Sequence, residues 1–406
     1  MPTAEAAARL ADFSTFADGP PHERFAALRA LGPVHWTDPT DQDTGFWSVV
    51  AFDELAEVSK DWERFSSARR GIFVRDGGIL PREFQELVFS NMDPPGHRRQ
   101  RAILQKVFTS QAVGERAADI RAVARELVGA VAGKGACDVV ADLAVPFPLT
   151  VTSNMLGVPA QDRDKLFHWT NQMADLSLGT EAKNAMIGEL GAYVLGLVAE
   201  RRARPQDDLL SRLIAAEVDG ERLTDVELVA HFAQLMAGGN ETTRNAFAGG
   251  MLALMEHPAQ RAQLLADPSL TPGAVEEILR WHTPILHNAR TATRDTEIAG
   301  VRIREGDLVV LWHVAANRDP RANDRPDEFD VSRPRVRHCA FGGPGDIHFC
   351  LGNQLARLEL RIFLDEVLRC LPDMELAGPV TRQPSSAFHW MTSVPVTFTP
   401  VAAAAS

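Results

Sequence analysis

A chain of 406 residues with 45% apolar content can bury a large core, and its length alone admits two or three domains. Its 42 basic and 54 acidic residues leave a net charge of -12, which argues against non-specific binding to nucleic acid or an anionic membrane as its main business. Cys137, Cys339, Cys350 and Cys370 are few and scattered, unlike the frameworks of small secreted domains, and indicate a reducing, cytoplasmic setting.

The opening "MPTAEAAARLADFSTF" lacks the basic start and apolar stretch of a leader, and no uninterrupted apolar run reaches spanning length, so a soluble protein is expected. The closing "VAAAAS" reads as a frayed end. "GPVHW" and "GFWSVV", separated by "TDPTDQDT", predict a hairpin. A helix follows, with Asp53 as N-cap and Leu55, Val58 and Phe65 on its apolar side. In "NMDPPGHRRQRAIL", Pro94 and Pro95 start a helix that puts His97 and Arg101 on one face. A solvated basic turn reads equally well from these residues alone.

From about residue 112 to 260 the period is helical, as in the single face Ile187, Leu190, Val194, Leu197 and Val198. Pro205 ends that helix, and "DDLLSRLIAAE" opens the next with acidic residues in its first turn. Within "LMAGGNETTRNAF" two adjacent glycines cost roughly 1 kcal/mol each relative to alanine, so something requires a small surface there. A polar face with small packing residues also satisfies that stretch. In "EEILRW", Glu277 and Arg280 lie one turn apart, a spacing common on solvated helices. After residue 290 the period changes, and "TEIAGVRIREGDLVVLW" predicts short antiparallel strands around Gly300 and "REGD". No repeat or low-complexity linker divides the chain. It reads as one domain over 1–406, with a β-rich part at about 30–60 and 290–320, a helical body at about 90–285, and a cysteine loop and helix at about 338–370.

That last segment, "CAFGGPGDIHFCLGNQLARLELR", sets Cys350 between a glycine-rich loop and an amphipathic helix. A helix N-terminus favours a thiolate by about 0.3 to 1 kcal/mol, too little to keep a thiol of ordinary pKa near 8.5 ionised in an apolar core. A metal can do so. The glycines at 342, 343 and 345 let the backbone approach something flat and large, and Gly352 relieves crowding on the helix side. From the cysteine alone, a buried structural thiol is the simpler alternative.

Phe341-Gly342 followed by His348-Phe349-Cys350-Leu351-Gly352 resembles the haem-binding loop of the cytochrome P450 family. The resemblance implies that Cys350 is the axial ligand of haem b (iron protoporphyrin IX), with Phe341 over the sulfur side, Gly352 beside it and His348 facing a propionate. It further implies that His97, Arg101 and Arg290 of "NARTATRD" hold propionates. "LMAGGNETTRNAF" is similar to the distal oxygen-binding helix, making Glu241 and Thr242 the acid–alcohol pair for proton delivery. "EEILRW" resembles the structural E-x-x-R, in which Glu277 and Arg280 are joined by Arg333 of "FDVSRP". With the connectors "RPQDDLLSRLI" and "ANRDPRANDRPDEFD" the likeness covers nearly the whole chain. It departs in one place, where "FGGPGDIHFC" is two residues longer than F-G-x-G-x-H/R-x-C and carries Asp346 where a glycine is expected.

The implied fold is mainly α with small β-sheets, haem lying between distal and proximal helices. The implied activity is monooxygenation with dioxygen. No fingerprint of a flavin or iron–sulfur domain occurs, so electrons are expected from a ferredoxin and ferredoxin reductase or their equivalent, docking near Arg98, Arg99, Lys106, Arg357 and Arg361. By the same resemblance the substrate is lined by the loop "GIFVRDGGILPREFQELVF" with Ile72 and Phe73, by Phe167, Trp169, Met173 and Leu176, by Ala237 and Gly238, by Ile285 and Leu286, and by Phe388. A medium to large apolar molecule is expected: a steroid, terpenoid, fatty chain or natural-product intermediate, free or tethered to a carrier. Two competitors are a haem-thiolate sensor or carrier, disfavoured by Glu241–Thr242, and a cysteine hydrolase using Cys350 and His348.

Overall fold

The computed structural model describes residue 10 and residues 12–39, 44–74, 82–174 and 178–401. Helix α1 (His22–Leu31) leads into strands β1 (Val34–Thr37) and β2 (Phe46–Val49), then helix α2 (Phe52–Lys60) and the short β3 (Phe65–Ser66). The helical body contains α3 (Gly96–Val107), α4 (Ala117–Ala132), α5 (Pro146–Leu156), α6 (Arg163–Ala174), α7 (Thr180–Ala203), α8 (Asp225–Glu256) and α9 (Thr271–His282). The chain then returns through β4 (His287–Ala292) and β5 (Leu308–Trp312), and closes with α10 (Asn353–Cys370) and short strands.

The expected hairpin is present, β1 pairing antiparallel with β2 so that Val34 faces Val49. These strands join one sheet in the order β1-β2-β5-β4-β3. β5, buried at all five residues, is antiparallel to β4 but parallel to β2. The antiparallel strands expected around Gly300 form, Thr296–Ile298 pairing with Val301–Ile303, whereas β5, after "REGD", pairs antiparallel with β4 instead of with Val301–Ile303; its parallel contact with β2 is allowed because the whole helical body intervenes between them, and such a crossover leaves strand direction free. The strands Ala136–Asp138 and Pro395–Thr397 pair with each other; at three residues each they are too short to reveal an alternation in sequence.

Two expected caps also differ. Asp53 lies in the first turn of α2, and the amide of Phe52 is instead satisfied by Asp319 Oδ2 at 2.9 Å, a partner 267 residues away. α7 ends at Ala203, before Pro205, but Asp208 is the N-cap of Leu209–Ala215 rather than a first-turn residue; it accepts from the Ser211 amide at 2.7 Å and from Arg201 Nε at 2.5 Å.

α8 runs unbroken for 32 residues and starts in a capping box made by Thr224 and Glu227. Its C-terminal half packs with α4, α5, α9 and α10 in one core, where the Phe363 ring stacks on Phe147 and Phe247 at 4.1 and 4.2 Å. The stretch Val139–Leu156 has the length and hydropathy of a membrane span, yet 61% of it is buried inside this core.

The expected Glu277–Arg280–Arg333 cluster forms. Arg280 donates to both Glu277 oxygens at 2.7 Å, and Arg333 Nε donates to Oε2 at 3.2 Å. Glu277 and Arg280 are fully buried, and Arg280 also donates to the carbonyls of Asn317, Pro326 and Glu328. Glu277→Gln leaves two buried guanidinium groups facing a neutral amide and is expected to lower stability by about 3 to 5 kcal/mol in urea unfolding; a loss below about 1 kcal/mol would contradict a joining role.

His231 and His389 are buried and pushed down to about 4, and burial with Arg318 pushes His22 down to about 3. Each therefore takes up a proton in the unfolded chain before the folded one. Their contribution is complete above about pH 6.5 and is lost as pH falls towards the folded values, about 2 kcal/mol per group by pH 5. The urea midpoint should be flat near neutrality and fall between pH 6.5 and 5, less steeply in His231→Gln.

Candidate active site

A cavity of about 390 Å³ lies between α8 and the start of α10, bounded on its sides by β4 and the segment around Phe388. Cys350 lies just before α10, whose N-cap is Gly352. The Cys350 amide donates to Phe341 O at 2.8 Å, and Asn353 Nδ2 donates to Cys350 O at 2.8 Å, so the cysteine backbone is held from both sides. Burial pushes the thiol up, against the opposing pull of the Gly352 amide, Arg101 and Arg357. The protein therefore does not ionise this sulfur by itself. Phe341 is buried beside Cys350, with the Arg357 guanidinium 4.5 Å from its ring centre.

The longer loop keeps Phe341 in place because its additional residues turn away at Gly342 (φ 104°) and Gly345 (φ 81°), conformations that cost a side-chain residue strain. Pro344 and Gly345 face solvent, whereas Asp346 turns inward and is buried.

A group of donors gathers at one end of the cavity. The rings of His97 and His348 lie 4.3 Å apart, and all four of their nitrogens lack a hydrogen-bond partner among the described residues. Burial and the nearby arginines push His97 down to about 4 and His348 to about 2, so both rings are neutral at pH 7 and each offers one N–H. Arg101 donates through Nη2 to Phe349 O at 2.5 Å and has no partner for Nη1. Arg290 is already partnered, donating to Asp346 Oδ2 at 3.1 Å. Unmatched buried donors are costly, and these three point to an acidic group that belongs here.

On the opposite wall the two glycines of α8 have different reasons. A side chain at Gly238 would meet nothing within 4 Å, so its absence leaves room in the cavity, whereas one at Gly239 would come within 2.9 Å of Thr152 Oγ1 on α5. The Thr242 hydroxyl donates to Gly238 O at 2.8 Å, which leaves its oxygen lone pairs free. Glu241 is buried and paired with Arg244; burial raises its carboxyl despite Arg244 and Trp390.

Ile72, Phe73, Met173, Ala237, Gly238, Ile285 and Phe388 line the cavity as expected. Leu286, Phe167 and Trp169 do not. Ile285 faces the cavity, so the next residue points to the other side and Leu286 packs with Phe25 and Trp312 behind the sheet. Phe167 packs into the helical core formed by α6 and α7, where Trp169 meets Tyr193 at 5.3 Å. Leu176 and residues 75–81 of the expected lining loop lie outside the described residues. Trp390, unanticipated, also lines the cavity and stacks on Phe388 at 5.2 Å; the i, i+2 spacing of these aromatics was the available signal.

Three of the basic residues expected to serve docking are engaged internally. Arg99 pairs with Glu221 and Glu227, Lys106 donates to Glu217 O, and Arg357 is held by Glu276. Arg98 and Arg361 are exposed. The hydrolase reading has no geometric support, since His348 makes no hydrogen bond to Cys350.

The residues present fit haem. One sulfur at a helix N-terminus, an apolar slot and unmatched N–H groups at one end match a metal ligand, a flat macrocycle and its carboxylates. Among the described residues no three His, Cys, Asp or Glu side chains cluster as a metal site.

Comparisons with known proteins agree. A family profile described as Cytochrome P450 matches residues 181–372. The methyl-branched lipid omega-hydroxylase of Mycobacterium tuberculosis (strain ATCC 25618 / H37Rv) is 36% identical over 413 residues, covering 98% of this chain and 96% of that protein. The steroid C26-monooxygenase of Mycolicibacterium smegmatis is 37% identical, covering 95% of each. Among solved structures, CYP108D1 from Novosphingobium aromaticivorans superposes with a TM-score of 0.88 at 34% identity over 99% of this chain and 100% of that one. Mycobacterium marinum CYP268A2 in complex with pseudoionone gives 0.86 at 35% identity, over 95% and 97%.

The reduced, carbon-monoxide-bound protein is expected to show the red-shifted Soret band of thiolate ligation. Cys350→Ala should abolish it, while single replacements of Cys137, Cys339 and Cys370 keep it. A band retained in Cys350→Ala would remove this residue as the ligand.

Proposed function

This chain belongs to the cytochrome P450 family and is a haem-dependent monooxygenase, and from that premise we propose how its own residues do the work. Cys350 is the thiolate ligand of haem b, and Arg101, His97 and His348 hold the haem carboxylates. The observation that carries this reading is that Arg101 and His348 bring unpaired nitrogens into the same cavity as Cys350, with the unpaired His97 ring against His348. When bound, haem supplies the activation of dioxygen, with electrons from redox partners.

Glu241 and Thr242 manage protons. A carboxyl raised by burial keeps a proton at its Oε to higher pH than an exposed glutamate does, and Arg244 gives the ionised form a partner once the proton has left. Thr242 Oγ1 is oriented by its bond to Gly238 O, so its lone pairs can accept a hydrogen bond inside the cavity. The apolar walls exclude bulk water from that point.

For the substrate we propose a steroid or branched lipid, oxidised at an aliphatic carbon. Phe73, Phe89, Met173, Ile285 and Phe388 give apolar surface to the cavity, with Gln234 and Thr170 as polar contacts. The names of the two relatives support the class. We further propose a ferredoxin as electron donor, with Arg98 and Arg361 as exposed basic residues for it.

Titration with sterols, branched fatty acids, terpenoids and macrolides should give a low-to-high-spin Soret shift for the first two. A response confined to terpenoids or macrolides would overturn the substrate class. Thr242→Ala is expected to keep haem and substrate binding while the fraction of reducing equivalents reaching product falls severalfold, read as peroxide released per turnover. Unchanged coupling would leave Thr242 a packing residue.

A further inference from the structure

The extension of the cysteine loop has no use in the reading above. Its outward residues, Pro344 and Gly345, are exposed, while Asp346 is buried and divides its carboxylate between two partners. Oδ1 accepts from the His348 amide at 2.8 Å, and Oδ2 accepts from Arg290 Nη2 at 3.1 Å. Both side chains of this ion pair are 4% exposed. Arg290 Nη1 donates to Ala289 O at 2.9 Å. Four side chains were expected to serve the haem carboxylates. His97, His348 and Arg101 have unpaired N–H groups among the described residues, and Arg290 alone is met by a carboxylate from its own chain.

We infer that Asp346 is an internal counter-ion that withdraws Arg290 from the haem carboxylates, leaving them to Arg101, His97 and His348 and placing the iron in a more negative field. This rests on the haem reading above and makes Asp346 a positioning residue, since it acts through Arg290. The physical reason is charge balance. Haem brings two carboxylates into a buried site that holds two guanidinium groups, Arg101 and Arg290, and Asp346 pairs with one of them. An additional buried negative charge favours the oxidised iron, and occupying Arg290 removes one strong, charge-assisted hydrogen bond from haem binding.

The test uses the holoprotein. Asp346→Asn keeps an oxygen for the His348 amide and removes the charge. Asp346→Gly supplies the residue expected at this place in the shorter family loop. Two readouts are the iron reduction potential, by spectroelectrochemical titration, and the rate of haem transfer to apomyoglobin. Both variants should shift the potential in the positive direction and lose haem more slowly, by about tenfold, the effect of one charge-assisted hydrogen bond. The double variant Asp346→Asn/Arg290→Gln should return haem loss close to the parent rate. An unchanged potential, faster haem loss, or failure of both single variants to load haem would overturn the inference and leave Asp346 as a pin for its loop. A parent protein without the thiolate band would instead overturn the haem reading, so the two failures are distinguishable.

Discussion

The buried carboxylate of Glu277 is the constraint on which the cysteine loop depends. It holds Arg280 from its own helix and Arg333 from the segment after β5, and the spare donors of Arg280 fix three carbonyls between residues 317 and 328. One of these belongs to Asn317, whose side chain accepts from the Cys339 amide at 2.7 Å. Cys339 begins the loop that ends at Cys350. The route from Glu277 to the sulfur thus runs through hydrogen bonds in a dry interior, where each is costly to leave unmade. Such a cluster contributes little net energy compared with apolar packing, but it specifies one arrangement, because any other strands a charge.

The cavity follows a complementary rule. At one end of it the side chains of His97, His348 and Arg101 keep unmatched nitrogens, while Arg290 is matched by Asp346. His97 and His348 are kept neutral by burial and neighbouring arginines, so they offer N–H groups without adding charge. The opposite wall is nearly bare, with Gly238 supplying room and Thr242 tied back to the carbonyl of that glycine. Both walls therefore combine a structural bond with a free valence, and the free valence faces the cavity.

How much of this was legible depended on whether the signal was local. The hairpin of β1 and β2, the face of α7 and the stop before Pro205 are readable because each follows from neighbours a few residues apart. Asp53 was misread because the partner of the Phe52 amide is Asp319, which no window around α2 contains. Leu286 was misplaced beside Ile285 although adjacent strand residues point to opposite faces. Three of five basic residues expected at a docking face meet partners from other segments, such as Glu276 for Arg357 and Glu227 for Arg99. Exposure of a long charged side chain is decided by what lies across from it.

By itself the sequence determined the mainly helical class, the order of its motifs, and the candidate cofactor cysteine with its glycine-rich loop, since these rest on periodicity, chain punctuation and the chemistry of single residues. Tertiary structure decided which donors remain unpaired, which glycine gives space and which gives packing, and that Asp346 turns inward to Arg290 while Pro344 turns out. Those outcomes depend on pairs of groups 56 residues apart or more. Their energies come from desolvation and hydrogen bonding across the core, which no local pattern encodes.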